Sequence, residues 1–193
     1  MTAQPADPQP SVPGVTAVHH VAYTVPDLDE AIGFFTGVLG ARLAYRTGPV
    51  ADPGGRWMTR QLGVHADAVA HIAMLRLGPV TNVELFEYTA PDQRRVYPRN
   101  SDWGGHHLAL WTDDFDASLR HLTAHDGVRA LGEPQTVGDG PIAGTRFVYL
   151  ATPPGLHLEL VHAPGRLPYH DGTAVRLFTP TPSPTPDLTG DTS

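Results

Sequence analysis

Two histidines and two glutamates, one of each in either half of the chain, are the residues best placed to do chemistry. They are His20, Glu84, His107 and Glu159. Two imidazole nitrogens and two carboxylate oxygens form a donor set for a divalent metal of borderline softness: Zn, Ni, Co, Mn or Fe(II). Four protein ligands on an octahedral ion leave two positions for water or a chelating substrate. An ion so held polarises a bound carbonyl and stabilises an enolate, and a carboxylate beside it can move the proton. Eleven histidines in 193 residues are the one compositional sign of metal chemistry. The chain has no Cys, which removes disulfides, Cys–zinc sites and thiol nucleophiles.

The four residues are singled out by an internal repeat. Residues 19–43, HHVAYTVPDLDEAIGFFTGVLGARL, align without a gap on residues 106–130, HHLALWTDDFDASLRHLTAHDGVRA. Eight of the 25 positions are identical, against roughly one or two expected at ordinary residue frequencies. The identities are His19/His106, His20/His107, Ala22/Ala109, Asp27/Asp114, Asp29/Asp116, Thr36/Thr123, Gly40/Gly127 and Arg42/Arg129. A second alignment pairs Leu75/Leu150, Glu84/Glu159 and Leu85/Leu160. Its different offset implies an insertion in the first copy, around Arg46–His65. Each copy thus carries a His near its start and a Glu near its end.

The elements that must position them follow from periodicity. Val15–Val25 alternates and is rich in β-formers, so it reads as a strand. Asp27 is a candidate N-cap for a helix with Ala31, Ile32, Phe34, Phe35, Val38 and Leu39 at helical spacing, and Gly40 suits its C-terminal end. The second copy repeats this with Asp114 as cap, Leu119 and Leu122 on the apolar face, and Gly127 at the end. Ala70–Leu77 and Val80–Tyr88 flank Gly78-Pro79, and Gly144–Ala151 and Leu156–Val161 flank Pro153-Pro154-Gly155; both read as hairpins. Each copy is therefore a βαβββ module. The expected fold is α+β: two tandem βαβββ modules whose curved mixed sheets enclose a metal site, within one chain or across a dimer. The expected boundaries are a disordered arm at 1–14, modules at 15–90 and 106–164 joined by a connector at 91–105, and an extension at 165–193 that is Pro/Thr-rich and disordered from about 179.

Strand alternation assigns neighbours. His20 shares its face with Ala22 and Thr24, and His107 with Ala109 and Trp111. Glu84 goes with Phe86 and Tyr88, and Glu159 with His157 and Val161. Small residues leave space above each His, and Phe86, Tyr88, Trp111 and His157 are candidate walls of a substrate pocket. The same alternation points His19 and His106 away from the site, to packing or hydrogen bonding under the sheet. His157 is a candidate outer-sphere partner of the metal set. His65, His71, His121, His125, His162 and His170 read as surface residues, and Asp27, Asp29, Asp114 and Asp116 as helix-start residues. Arg56, Trp57 and Arg60 in the insertion, and Arg94, Arg95 and Arg99 in the connector, are loop residues of the kind that set specificity. Tyr169 and His170 are candidate lid residues.

Net charge is −7, from 20 acidic and 13 basic residues, with no basic run or aromatic-spaced Lys/Arg stripe, which argues against a nucleic-acid partner. No apolar stretch approaches the ~20 residues that span a membrane. The N-terminus has no basic n-region and no apolar h-region, so cytoplasmic residence is expected.

These motifs resemble the vicinal oxygen chelate superfamily, which includes glyoxalase I, methylmalonyl-CoA epimerase, extradiol dioxygenases and bleomycin-resistance proteins. The resemblance covers about residues 17–162. It is carried by His20 with VPDLDEAIGFFTGVLG, by Val83-Glu84-Leu85-Phe86-Glu87, by Gly104-Gly105-His106-His107 with Thr112-Asp113-Asp114, and by His157-Leu158-Glu159-Leu160. In that family one His and one Glu or Gln per module bind the metal, so the resemblance implies His20, Glu84, His107 and Glu159 as ligands of one divalent ion per site. Extradiol dioxygenases of the family lack the acidic ligand corresponding to Glu84, and antibiotic-binding members usually lack the metal set. The full set resembles the isomerase/lyase branch. The expectation is a metal-dependent enzyme, in a homodimer, that moves a proton next to a carbonyl of a small molecule, with Glu159 or Glu84 doubling as base. The alternatives are an Fe(II) dioxygenase and an antibiotic- or metabolite-binding protein.

Overall fold

The computed structural model describes residues 12–15, 17–175 and 177. The N-terminal arm up to residue 11 and the Pro/Thr-rich tail from 178, both expected to be disordered, lie outside the described residues.

The first module runs β1 (Val21–Thr24), α1 (Leu28–Gly37), β2 (Arg42–Val50), α2 (Trp57–Leu62), β3 (Val69–Leu77) and β4 (Thr81–Thr89). The second runs β5 (Leu108–Trp111), α3 (Phe115–Thr123), β6 (Arg129–Ala130), β7 (Gln135–Thr136), β8 (Arg146–Ala151) and β9 (His157–His162), followed by the short α4 (Tyr169–Gly172). The insertion around residues 46–65 holds the end of a long β2 and the helix α2. In the second copy the counterpart of β2 is broken into β6 and β7, both paired with β8. Gly132 and Pro134 lie in the break, and proline cannot donate to a ladder.

β1 is shorter than the alternation over 15–25 implies. It pairs only with β4, in parallel, from Val21↔Val83 to Thr24↔Phe86. Just upstream a side chain takes over: the Asn82 amide donates to the His19 carbonyl at 2.9 Å. Asp27 and Asp114 cap α1 and α3, accepting from the Glu30 and Ala117 N–H groups at 2.8 and 3.0 Å. Glu87, on the opposite face of β4 from Glu84, accepts the Leu28 N–H at 2.8 Å and so ties the helix start to the sheet.

The sheets are ordered β1-β4-β3-β2 and β5-β9-β8-β6, with β7 also on β8. The expectation of curved sheets enclosing a metal site is not met. Neither sheet is closed or strongly curled, and β1 and β2 stand at opposite edges of the first. Closure of a barrel takes about eight strands, and each module has half that or little more.

Alternation divides the strands cleanly. Val83 and Leu85 of β4, and Leu158 and Leu160 of β9, point inward and are buried, while Glu84 and Glu159 between them point out. Leu28, Ala31, Phe34 and Phe35 of α1 and Phe115 and Leu122 of α3 join the same hydrophobic cluster, so both modules share one core. Burying each of the Leu and Phe side chains stabilises by about 1.5–3 kcal/mol. Polar ties cross between the modules as well. His121 Nε2 meets the Val38 carbonyl at 3.0 Å, and the rings of Tyr23 and His106 stack with centroids 5.3 Å apart.

Tyr97, from the connector, is a further tie. Its hydroxyl donates to the Pro154 carbonyl at 2.6 Å and lies 3.4 Å from the Thr24 carbonyl. The ring occupies the space beside Gly155 (φ +82°), where a Cβ would run into it. Burial, with the Glu30 charge adding to it, pushes the Tyr97 phenol up to about 12. The raised value is a contribution to stability that is complete below the ordinary tyrosine range. It is lost as pH rises from about 10 through about 12. Tyr97→Phe should therefore be less stable than wild type at neutral pH and flatter in its loss of stability over that alkaline window, as read by urea unfolding at a series of pH values. Parallel curves would show that the phenol is not buried at the module junction.

Candidate metal and substrate site

Parallel pairing sets the site. Ala22 pairs with Glu84 in the first module and Ala109 with Glu159 in the second, in the same register. A His two residues before each Ala then comes beside the Glu of the neighbouring strand. His20 Nε2 lies 3.1 Å from Glu84 Oε2, and His107 Nε2 lies 3.1 Å from Glu159 Oε2. In both pairs the His side chain is 35% exposed and the Glu side chain 17%. The two half-sites are thus near copies, each on the outward face of its own sheet.

Of the two arrangements left open, within one chain or across a dimer, the first is not seen: the four do not converge on one point among the described residues. Among the described residues, no three His, Cys, Asp or Glu side chains gather where they could hold a metal ion. The reason lies in the fold: the shared core is built from the inward faces, which turns the two His/Glu faces outward on separate sheets.

Each pair fits half of a metal set. Two ligand atoms at adjacent positions around a divalent ion, each about 2.1 Å from it, stand about 3.0 Å apart. The observed 3.1 Å is close to that spacing. Both pairs are also accessible, and both present one neutral-capable nitrogen and one anionic oxygen.

The aromatic residues take different places. The Phe86 and Tyr88 rings stack at 5.2 Å and 6° on the Glu84 face. Trp111 tilts against His162 at 6.2 Å, and its indole N–H reaches Asp113 at 3.2 Å. His157 is half-buried, on the Glu159 face opposite Ala151. Tyr149, which no motif marks, stands directly across from Glu159 in the β8–β9 pair. Its ring meets the His107 ring edge-on at 5.1 Å. A cavity of about 260 Å³ opens beside it, lined by Leu131, Glu133, Gln135, Phe147 and Tyr149 among others. Extending the hairpin register back from Pro153-Pro154-Gly155 would have pointed to Tyr149. The first module has Met74 at that position, across from Glu84.

His19, expected to turn away from His20, lies beside it. Its Nδ1 lies 2.8 Å from His20 Nδ1, so it joins the site rather than pointing away from it. Alternation misled because the strand starts only at Val21. His106 has no such contact; its Nδ1 meets the Gly104 carbonyl at 2.9 Å. Of the histidines read as surface residues, His121 bridges the modules and His162 Nδ1 meets the Thr112 carbonyl at 2.8 Å.

Residues 19–149 match the model of the glyoxalase/bleomycin resistance protein/dioxygenase superfamily, and the chain belongs to that superfamily. A protein from Actinomyces sp. called 2-epi-5-epi-valiolone epimerase is 63% identical over 169 residues, which is 88% of this chain and 91% of that one. The Escherichia coli protein YaeR is 29% identical over 148 residues, 76% of this chain and 96% of its own. A glyoxalase family protein from Bacillus cereus shares the fold, with TM-score 0.59 at 24% identity over 78% of this chain and 96% of that structure. Family and relatives together make this an enzyme of the isomerase/lyase type.

Burial, followed by the charge of Glu84, raises the Tyr88 phenol above its ordinary value; burial, followed by Glu159, does the same for Tyr149. Spectrophotometric titration of Glu84→Gln should bring Tyr88 ionisation down toward the usual range, and Glu159→Gln should do so for Tyr149, each leaving the other unchanged. A shift of both phenols in either variant would contradict the separation of the half-sites, and a shift of neither would show that burial alone raises them.

Proposed function

We propose that the protein is a divalent-metal-dependent epimerase that inverts a carbon next to the carbonyl of a hydroxyketone. It would act in the cytoplasm as a homodimer. The repeated His–Glu pair, at the same 3.1 Å in both modules, is the observation that carries this reading. The substrate class comes from the epimerase relative, whose name describes a hydroxyketone with stereocentres at positions 2 and 5. A centre beside a ketone is the one whose proton a carboxylate can remove.

Each half-site supplies one imidazole nitrogen and one carboxylate oxygen, too few to hold a borderline divalent ion alone. Two half-sites supply four donors. Because they face outward on separate sheets, we assign their union to an interface between two copies of the chain. The outward face of the first sheet offers apolar surface for such an interface: Tyr45 of β2, in the row of Met74 and Glu84, is 52% exposed.

When bound, the metal supplies Lewis acidity to the substrate carbonyl. His20, Glu84, His107 and Glu159 would hold it. The chain's own groups do the proton work. Glu159 removes the proton from the carbon beside the carbonyl, and the electron pair moves onto the carbonyl oxygen. Return of a proton to the opposite face of that carbon inverts it, with no net redox change. Glu84, on the other half-site, is the group available for that face: as the carboxylic acid it gives up its proton, and exchange with water afterwards re-protonates Glu84 and removes the proton taken by Glu159. Phe86, Tyr88 and Trp111 wall the space and limit water, and Tyr149, a phenol that is protonated at neutral pH, can donate a hydrogen bond to a substrate oxygen.

In ²H₂O the product of 2-epi-5-epi-valiolone should gain one deuterium at the inverted carbon, read by NMR. Glu159→Gln should lower kcat by about 10²–10⁴-fold; full activity in that variant removes Glu159 from the base role. Protein purified without chelator should carry Ni, Co, Zn or Mn that is lost in His107→Ala and Glu84→Ala. Iron retained without Glu84, with turnover that needs dioxygen, would replace this reading by a dioxygenase.

A further inference from the structure

The geometry points to His19 as a positioning residue that fixes the rotation and the tautomer of His20, a task its repeat partner His106 does not perform. The affinity part of this inference rests on His20 being a metal ligand; the tautomer part does not.

The His19 and His20 rings stand edge-on, centroids 5.1 Å apart at 84°, with their Nδ1 atoms 2.8 Å apart. At that distance one Nδ1 carries the proton and the other offers its lone pair. His19 is itself anchored, because its carbonyl accepts from the Asn82 side chain at 2.9 Å. Asn82 precedes Glu84 by two residues on β4. The strand that carries the carboxylate therefore also holds the residue that holds the imidazole.

The other end of the His20 ring decides which way the proton lies. Nε2 faces Glu84 at 3.1 Å. Without a cation, Nε2–H donates to the carboxylate, so His20 Nδ1 accepts and His19 Nδ1 carries the proton. With Nε2 bound to a cation, the His20 proton moves to Nδ1 and donates to His19, whose own proton moves to Nε2. The same Nδ1–Nδ1 contact serves both states. An imidazole is suited to this because its Nδ1 can be donor or acceptor. Fixing the tautomer through the far nitrogen is what outer partners of metal-bound histidines do.

The second module solves the problem differently. His106 Nδ1 is taken by the Gly104 carbonyl, and its ring packs on Tyr23. The ring beside His107 is Tyr149. The His-His repeat is one sequence motif with two structural uses.

The test uses the full chain, chelator-treated and labelled with ¹⁵N at histidine. Long-range ¹H–¹⁵N spectra, taken above the ordinary histidine titration range, report the tautomer of each ring. Wild type should show His19 as the Nδ1–H form and His20 as the Nε2–H form. Added Zn(II) should reverse both. His19→Ala should leave His20 as a tautomer mixture and weaken Zn(II) binding, measured by calorimetry, by about 10–100-fold. His19→Asn, whose amide can donate or accept from nearly the same place, should restore most of it. His106→Ala should leave the His20 signals and Zn(II) affinity unchanged. An unaltered His20 tautomer in His19→Ala, or His19→Asn as weak as His19→Ala, overturns the inference. If wild type takes up no Zn(II), the metal reading fails while the metal-free spectra still decide the role of His19.

Discussion

Everything at the site depends on the parallel pairing of the first and last strands of each module. Ala22↔Glu84 and Ala109↔Glu159 are the same register, and that register brings a His and a Glu far apart in sequence to within 3.1 Å. A slip of one residue would turn Glu84 into the core and Leu85 out to solvent. Burying an unpaired carboxylate is expensive, and losing the Leu85 contact adds to the cost. Register and site are therefore protected by the same energy. β1 and β5 have four residues each, so few ladder bonds hold them. The Val25 N–H to Phe86 carbonyl bond and the Glu87 cap on Leu28 extend the grip of β4 beyond the ladder.

The shared core has a consequence for the site. Because both helices and the inward faces of both sheets bury one another, the chemistry-bearing faces are left looking outward. Four or five strands cannot wrap round a ligand alone, so the monomer holds two accessible half-sites rather than an enclosed one. Tyr97, His121 and the Tyr23–His106 stack hold the modules to each other, and so hold the two outward faces in a fixed relation.

Duplication has not kept the two half-sites identical. The His–Glu spacing and exposure are alike, yet the surroundings differ: His19 and Met74 in the first, Tyr149 in the second. A pair of equal sites would serve a symmetric ligand. The proposed epimerisation involves two faces of one carbon, and unequal surroundings suit unequal proton transfers.

Much of this was legible in the residues. The repeat identified His20, Glu84, His107 and Glu159, the caps Asp27 and Asp114 were read from composition and spacing, and alternation separated Glu84 from Glu87. These are local or periodic properties, written in the chain by the helix and strand repeats themselves. Three matters were not legible. Whether the sheets close depends on strand number and twist, which no single segment carries. The contact of His19 with His20 depends on where the strand begins, and that is set by its partner strand. Tyr149 enters through hairpin register rather than through any motif. The sequence alone determined which His and Glu residues repeat and that there are two of each, because residue type and repeat are one-dimensional facts. Only the tertiary structure decided that they form two outward half-sites instead of one enclosed centre, because which face of each sheet is buried is settled by the packing of one module on the other.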